Sequence, residues 1–376
     1  MSAKTNWFQR WLLPGLAFKA VVIGGGYATG RELASFFLPS GPWGGLCAIL
    51  LATVIWSTVC AITFLFAMRT KSRDYRTFFK HLLGPFWPIF EVAYLAMLML
   101  MLSAFAAAAG AIAGAVFGLP PLVGALALMT MITFVAVWGN DGVERLFKYV
   151  SFLLYGTYAV FVVLSFMKLG GRIETAFAAV TSTTGWAVGG LTYAGYNIIG
   201  AIIILPVTRH LTSRKDAVVA GVLAGPLAMA PAFLFFIVMA AFYPAIQQQL
   251  LPSDFLLEQL NLPAFRLLFQ LMIFAALLES GTGGVHAINE RIAQAYARRP
   301  DRAFSKPMRL AVTVAILTGS VFVADRVGLV RIIADGYRWL AYVLLTIYVA
   351  PLLTLGLWQL SRPLALTGGL EAESAG

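Results

Sequence analysis

Apolar residues fall along this chain in long blocks of about 20, the length a helix needs to cross a bilayer core, and short polar stretches separate them. The blocks predict helical spans at about 11–38, 43–68, 85–117, 120–138, 143–168, 184–209, 215–243, 263–297, 307–325 and 328–360. The third, eighth and tenth are long enough to tilt or to extend beyond the bilayer. Loop punctuation marks most breaks, as in Pro39-Ser40-Gly41-Pro42 and Gly118-Leu119-Pro120-Pro121. Two connecting stretches carry structure of their own. In 72–83, Tyr75, Phe78, Phe79 and Leu82 share a helix face among basic neighbours, which predicts an amphipathic surface helix. In 252–262, Ser253 or Asp254 is placed to cap a short helix on the opposite side. The expected fold is an all-α polytopic membrane protein: one transmembrane domain over 1–360 and a short cytoplasmic tail at 361–376.

Composition agrees. Of 376 residues, 60% are apolar and 11% charged, against about 25% charged in soluble domains. The net charge of +11 would suit nucleic acid, but its distribution points to lipid instead. With the N-terminus in the cytoplasm, 19 Lys and Arg lie on the inner side, 5 on the outer and the other 3 within spans. That imbalance predicts ten spans in the cell (plasma or inner) membrane, both termini cytoplasmic, with 69–82 and 291–306 inside. The bilayer is the expected partner, and no nucleic acid is. Cys47 and Cys60 share one hydrophobic block and point to neither a disulfide nor a metal site. The start of the chain lacks a cleavage pattern, so the first block is expected to stay as a helix. The sequence carries no P-loop, HExxH or nucleophile–base set, which argues against a pump or an enzyme. Two readings stand: a secondary transporter, or a non-transporting sensor or assembly protein that keeps such a scaffold.

Glycine spacing bears on that choice. The first span contains IGGGYATG, residues 23–30. Three adjacent glycines weaken a helix, and unwound backbone at membrane depth persists only inside protein or beside a cavity. Close helix packing through small residues is the other reading. The sixth span contains YAGYNIIGA, residues 193–201, with Gly195 and Gly200 around Tyr196 and Asn197. It opens the second group of five spans, and an odd number per group gives the halves opposite orientations. The third and eighth spans are expected to be the longest regular ones in their halves, and the two connecting helices correspond. The pattern predicts inverted repeats at about 11–168 and 184–360, with helices 1 and 6 interrupted and a site at the midplane.

The arrangement resembles the LeuT fold of the amino acid–polyamine–organocation superfamily. GGGYATGRELASFF, residues 24–37, resembles the G-x-G-F-A-[ST]-G-Q-E-x-x-x-F-F signature of YkvI-like membrane proteins, and YNIIG at 196–200 fits that group. Arg31 departs from it, since an amide is usual there. The resemblance implies secondary active transport of a small organic solute, such as an amino acid, by alternating access coupled to a proton or sodium gradient. It implies no cofactor beyond a bound Na+ or a transported proton. It places Gly24, Gly25, Gly26 and Tyr27 of the first span, Ser103 of the third, and Gly195, Tyr196 and Asn197 of the sixth around the substrate. Sodium-coupled members use A-x-x-[ST]-[ST] in the eighth span. Here the stretch reads Ala276-Leu-Leu-Glu279-Ser280, with a carboxylate where a hydroxyl is expected.

Ionisable groups at membrane depth are costly and mark candidate functional positions. Glu279, Thr282 or Gly283, His286 and Glu290 share one helix face, which is expected to turn toward the bundle interior. Lys19 either snorkels to the headgroups or pairs with Glu279. Lys19, Glu279, Ser280, Thr282 and His286 form the expected ion-coupling set, with Glu279 a proton carrier or a tuner of the ion site. Glu32 is placed to offset the dipole of the outer half-helix of the first span. Asp335 and Arg338 are expected to pair.

Overall fold

The computed structural model describes residues 6–23, 25–138, 141–179, 181–296 and 305–362. Gly24, residues 297–304 of the stretch 291–306, and the expected tail from 363 onward lie outside the described residues. Among the described residues eight helices are long and apolar enough to cross a membrane: Leu38–Thr70, Pro88–Phe117, Leu153–Ala178, Trp186–Ile203, Arg214–Ala240, Pro263–Ala293, Lys306–Val327 and Leu329–Ser361. They are the second, third, fifth, sixth, seventh, eighth, ninth and tenth spans. The fourth is the shorter apolar helix Pro121–Val137. The first divides into Leu13–Val22, one turn at Gly25–Ala28, and Arg31–Phe36. All ten predicted segments are therefore helical. One length expectation fails: Asp141–Ala178, at 38 residues, exceeds the 30 of Pro88–Phe117. The fifth span continues through Lys168 and Arg172, past its expected end at 168.

Small residues let the second and seventh spans approach closely. Gly221 lies against the backbone of Ala61, and Gly225 against Ser57 and Thr53. The Ser57 hydroxyl donates to Val222 O at 2.8 Å. Small-xxx-small faces allow such backbone contact between helices in lipid. One large apolar core runs from Phe18 to Leu352, and Trp56, Tyr193 and Tyr348 are its largest fully buried side chains.

The surface helix forms over Tyr75–Leu83, with Asp74 as its cap: the Thr77 N–H donates to Asp74 Oδ1 at 2.9 Å. Phe78, Phe79 and Leu82 are buried as the pattern requires. The helix is fastened to the third span by Arg76 and Glu91 at 2.9 Å. Arg291 of the eighth span lies over the rings of Tyr94 and Tyr75 at 3.7 and 4.2 Å. The second connecting helix, Pro252–Leu260, is not capped by Ser253 or Asp254. Pro252 already sits in its first turn, and both side chains are turned inward instead. Asp254 accepts from Arg266 at 2.7 and 2.6 Å and from Gln270 at 3.0 Å. The Ser253 N–H donates to Thr29 O at 3.0 Å, which joins this helix to the interrupted first span.

Candidate functional site

The interruption in the first span has two edges. Ile23 leaves the helix with φ −82° and ψ 69°. After the turn at Gly25–Ala28 the chain turns again at Gly30, with φ +75°, a left-handed conformation suited to glycine. A Cβ at Gly30 would also meet the ring of Phe235 at 2.6 Å. The expected interruption at 23–30 is corrected in one respect: residues 25–28 keep one helical turn, and the irregular backbone lies on either side. In the sixth span Trp186–Asn197 ends at a two-residue turn, and Gly200–Ile203 follows. The break falls within the expected 195–200, but it is slight. Ile198 and Ile199 stay close to helical angles, and the ladder tightens to Ala201 N–H donating to Ile198 O. Two separated glycines, unlike three adjacent ones, leave most of the helix intact.

The short outer helix Arg31–Phe36 is buried at every residue. Its two adjacent charges point apart. The Arg31 guanidinium donates to Gln247 O at 2.9 Å, Gln249 O at 2.6 Å and Ser35 Oγ at 3.3 Å. Gln247 in turn donates to Leu38 O at 2.7 Å. With the Ser253–Thr29 bond, these contacts strap the stretch 247–253 across the outer half of the first span. Glu32 turns the other way and accepts from the Tyr196 hydroxyl at 2.5 Å. It is 6% exposed, and no ion pair reaches it among the described residues.

Glu32 faces a cavity of about 60 Å³ at the meeting of the first, third, sixth and tenth spans. Tyr27, Tyr196, Asn197 and Tyr337 supply its other polar groups; Met97, Met101 and Phe105 of the third span close one side. The Tyr196 and Tyr337 rings are 4.8 Å apart between centroids, and Tyr193 and Phe36 back Tyr196 at 5.6 and 5.5 Å. Tyr337 follows directly on the π-helical stretch Ile332–Gly336. Such widened turns often occur at functional positions.

Of the residues expected around the substrate, Tyr27, Tyr196 and Asn197 line this cavity. Gly25 and Gly26 lie in the helical turn just before Tyr27. Ser103 and Gly195 are not in its wall. The Ser103 hydroxyl bonds back to Met99 O at 2.9 Å, and Gly195 makes room for Leu345 and Ala341 behind the site. The sequence reading missed Glu32 and Tyr337. The available signal was a carboxyl group inside a glycine-interrupted span.

The expected coupling set is placed differently. Leu277, Gly281, Val285 and Ile288 take the interior face of the eighth span, and a Cβ at Gly284 would lie 3.1 Å from Met101. Glu279, Ser280 and Thr282 are partly exposed and His286 is exposed. The inward orientation expected for that face is therefore corrected: the glycines admit close neighbours, and the polar positions move to the flank. Thr282 bonds to Leu278 O at 2.7 Å, and Glu290 pairs with Arg309 at 2.8 Å. Lys19 does not pair with Glu279 within ion-pair distance. Its ammonium lies 4.5 Å from the centre of the Tyr155 ring, and Tyr155 is within electrostatic range of Glu279. Asp335 and Arg338 form no ion pair among the described residues; both are exposed. Lys19 and Tyr155 line a second, largely apolar cavity of about 630 Å³ between the first, fifth and seventh spans, and Tyr27 is in the wall of both cavities.

No protein-family model matches the chain. It is 24% identical over 339 residues to the uncharacterized membrane protein YkvI of Bacillus subtilis (strain 168), covering 87% of this chain and 92% of that one. Its structure is similar to that of MhsT in complex with L-phenylalanine, with a TM-score of 0.55 and 18% identity over 95% of this chain and 99% of the other. It is also similar to a Na+-coupled sialic acid symporter in a substrate-bound outward-open state, with a TM-score of 0.58 and 16% identity over 94% and 82% of the two chains. The chain is similar to the membrane protein YkvI and has the LeuT fold. In that fold the interrupted first and sixth helices meet at the centre of the bundle, where Tyr27, Glu32 and Tyr196 come together here.

Proposed function

We propose that this protein is a secondary active transporter that moves a small organic solute, an amino acid or a related compound, by alternating access. The observation that carries the reading is the central cavity: polar groups from the interrupted first span face the sixth and tenth spans around a buried carboxyl. Irregular backbone and a buried ionisable group are costly in a structure that serves only as an anchor. MhsT with its bound L-phenylalanine and the sialic acid symporter support a solute site on this fold.

The closure fits one phase of such a cycle. The strap held by Arg31, Gln247 and Ser253 ties residues 247–253 to the half of the first span that carries Glu32, on the side expected to be the outer one from the distribution of basic residues. The inner half of the first span packs on the seventh span and leaves the second cavity between itself and the fifth. Coupling to a proton or sodium gradient is assigned to the flank of the eighth span at Glu279 and Ser280, with Lys19 approaching through Tyr155. A shift of the first span would change the distance from Lys19 to Glu279, and with it the relative stability of the charged states.

The test uses Asn197→Cys in a chain whose Cys47 and Cys60 are replaced, with an impermeant thiol reagent applied to either side of sealed vesicles. Alternating access predicts that position 197 reacts from each side in different states, and that a bound solute changes the ratio of the two rates. Reaction from neither side under any solute or gradient would overturn the proposal.

A further inference from the structure

We infer that the central cavity takes an organic ammonium ion, held by the Glu32 carboxylate within a cage of tyrosine rings. The inference rests on the reading of this cavity as the solute site, and it names the class of solute.

Three observations converge. The first is a buried acid with no protein cation. Glu32 is 6% exposed and accepts one side-chain hydrogen bond, from Tyr196. The adjacent Arg31 is committed to Gln247 O, Gln249 O and Ser35, away from the cavity. A carboxyl out of water either takes a proton or, to stay charged, needs a counter-ion within reach, because its solvation has been lost. Among the described residues, Glu32 is the only carboxylate, and no Lys, Arg or His stands in this wall. A ligand cation supplies what the protein does not.

The second observation is the aromatic lining. Tyr27, Tyr196, Tyr337 and Phe105 border the space, and the Tyr196 and Tyr337 rings are inclined at 41° rather than stacked flat. Ring faces attract ammonium groups, and cages of this composition recognise alkylated ones. The third is what the wall lacks. A solute carboxylate would find no cationic side chain, and the Asn197 amide already donates to Tyr193 O at 3.2 Å. Met97, Met101 and Leu340 offer an adaptable apolar surface to the alkyl body. The cavity of about 60 Å³ holds roughly two waters, so the ion is small.

The test is binding to the purified full chain, read as thermal stabilisation. The probes are propylammonium, tetramethylammonium and choline, set against dimethylbutanol, the neutral isostere of choline, and against leucine as a zwitterion of similar bulk. The ammonium ions should raise Tm in a saturable way, and dimethylbutanol should not. Glu32→Gln should weaken ammonium binding by about 30-fold or more, the loss typical when one partner of a buried charge pair is removed. Tyr337→Phe should keep tetramethylammonium binding, and Tyr337→Leu should lower it by about tenfold. If Glu32→Gln fails to fold, the two Tyr337 variants decide. Equal stabilisation by dimethylbutanol, stabilisation by leucine alone, or equal affinity in Tyr337→Phe and Tyr337→Leu would overturn the inference. Ammonium binding without flux would overturn the transport reading and leave this inference standing. Flux of another solute with no ammonium binding would do the reverse.

Discussion

Arg31→Ala is expected to open the central cavity on the side of residues 247–253. The guanidinium is 4% exposed and fastens two backbone carbonyls, at 2.9 and 2.6 Å, to the outer half of the first span. Hydrogen bonds from a charged donor contribute about 1.5–3 kcal/mol each. Losing both removes at least about 3 kcal/mol from the strapped arrangement, if the freed carbonyls find water in the open one. At about 1.4 kcal/mol per tenfold change, the ratio of closed to open molecules falls by roughly a hundredfold. The reaction rate of Asn197→Cys with an impermeant thiol reagent from that side should rise accordingly. Arg31→Lys keeps the charge but not the fixed planar guanidinium, and should fall between. An unchanged rate in Arg31→Ala would show that the strap is not the closure.

Gly221→Leu is expected to prevent the second and seventh spans from packing. A Cβ at Gly221 would already come within 2.8 Å of the Ala61 Cβ and closer still to its backbone, which has no flexible end to give way. Gly221→Ala should cost about 1–3 kcal/mol, the usual penalty of an overfilled core, and leucine more. Thermal unfolding of the purified variants is the check. A leucine variant with the Tm of the parent would show that the two helices are not held as tightly as this contact implies.

The spans were legible because bilayer thickness sets the length of each apolar block, and the same constraint holds whatever the helices pack against. The buried face of Tyr75–Leu83 was legible because it depends only on neighbours a turn away. The site was legible in part. Tyr27, Tyr196 and Asn197 stand next to the glycines that mark the interruptions. Glu32 was read as a dipole partner because a helix of six residues is too short for periodicity to say which way a side chain turns. Only the left-handed Gly30 and the commitment of Arg31 to the strap aim Glu32 at the cavity. Tyr337 looked like one more aromatic in an apolar span, and its role depends on Tyr196, 141 positions earlier. On the eighth span the polar spacing was correct but the face was not. Periodicity shows which residues share a side, and the small residues Gly281 and Gly284 decided which side lies inward.

The most direct test of the account is accumulation by the purified protein in sealed liposomes. The vesicles would be bathed in a mixed pool of amino acids and small amines under an imposed pH gradient, sodium gradient or membrane potential, and their contents compared with those of protein-free vesicles. The account predicts that at least one solute becomes more concentrated inside than outside, and that the excess disappears when the driving gradient is collapsed. Vesicle contents matching the protein-free control under all three gradients would contradict it.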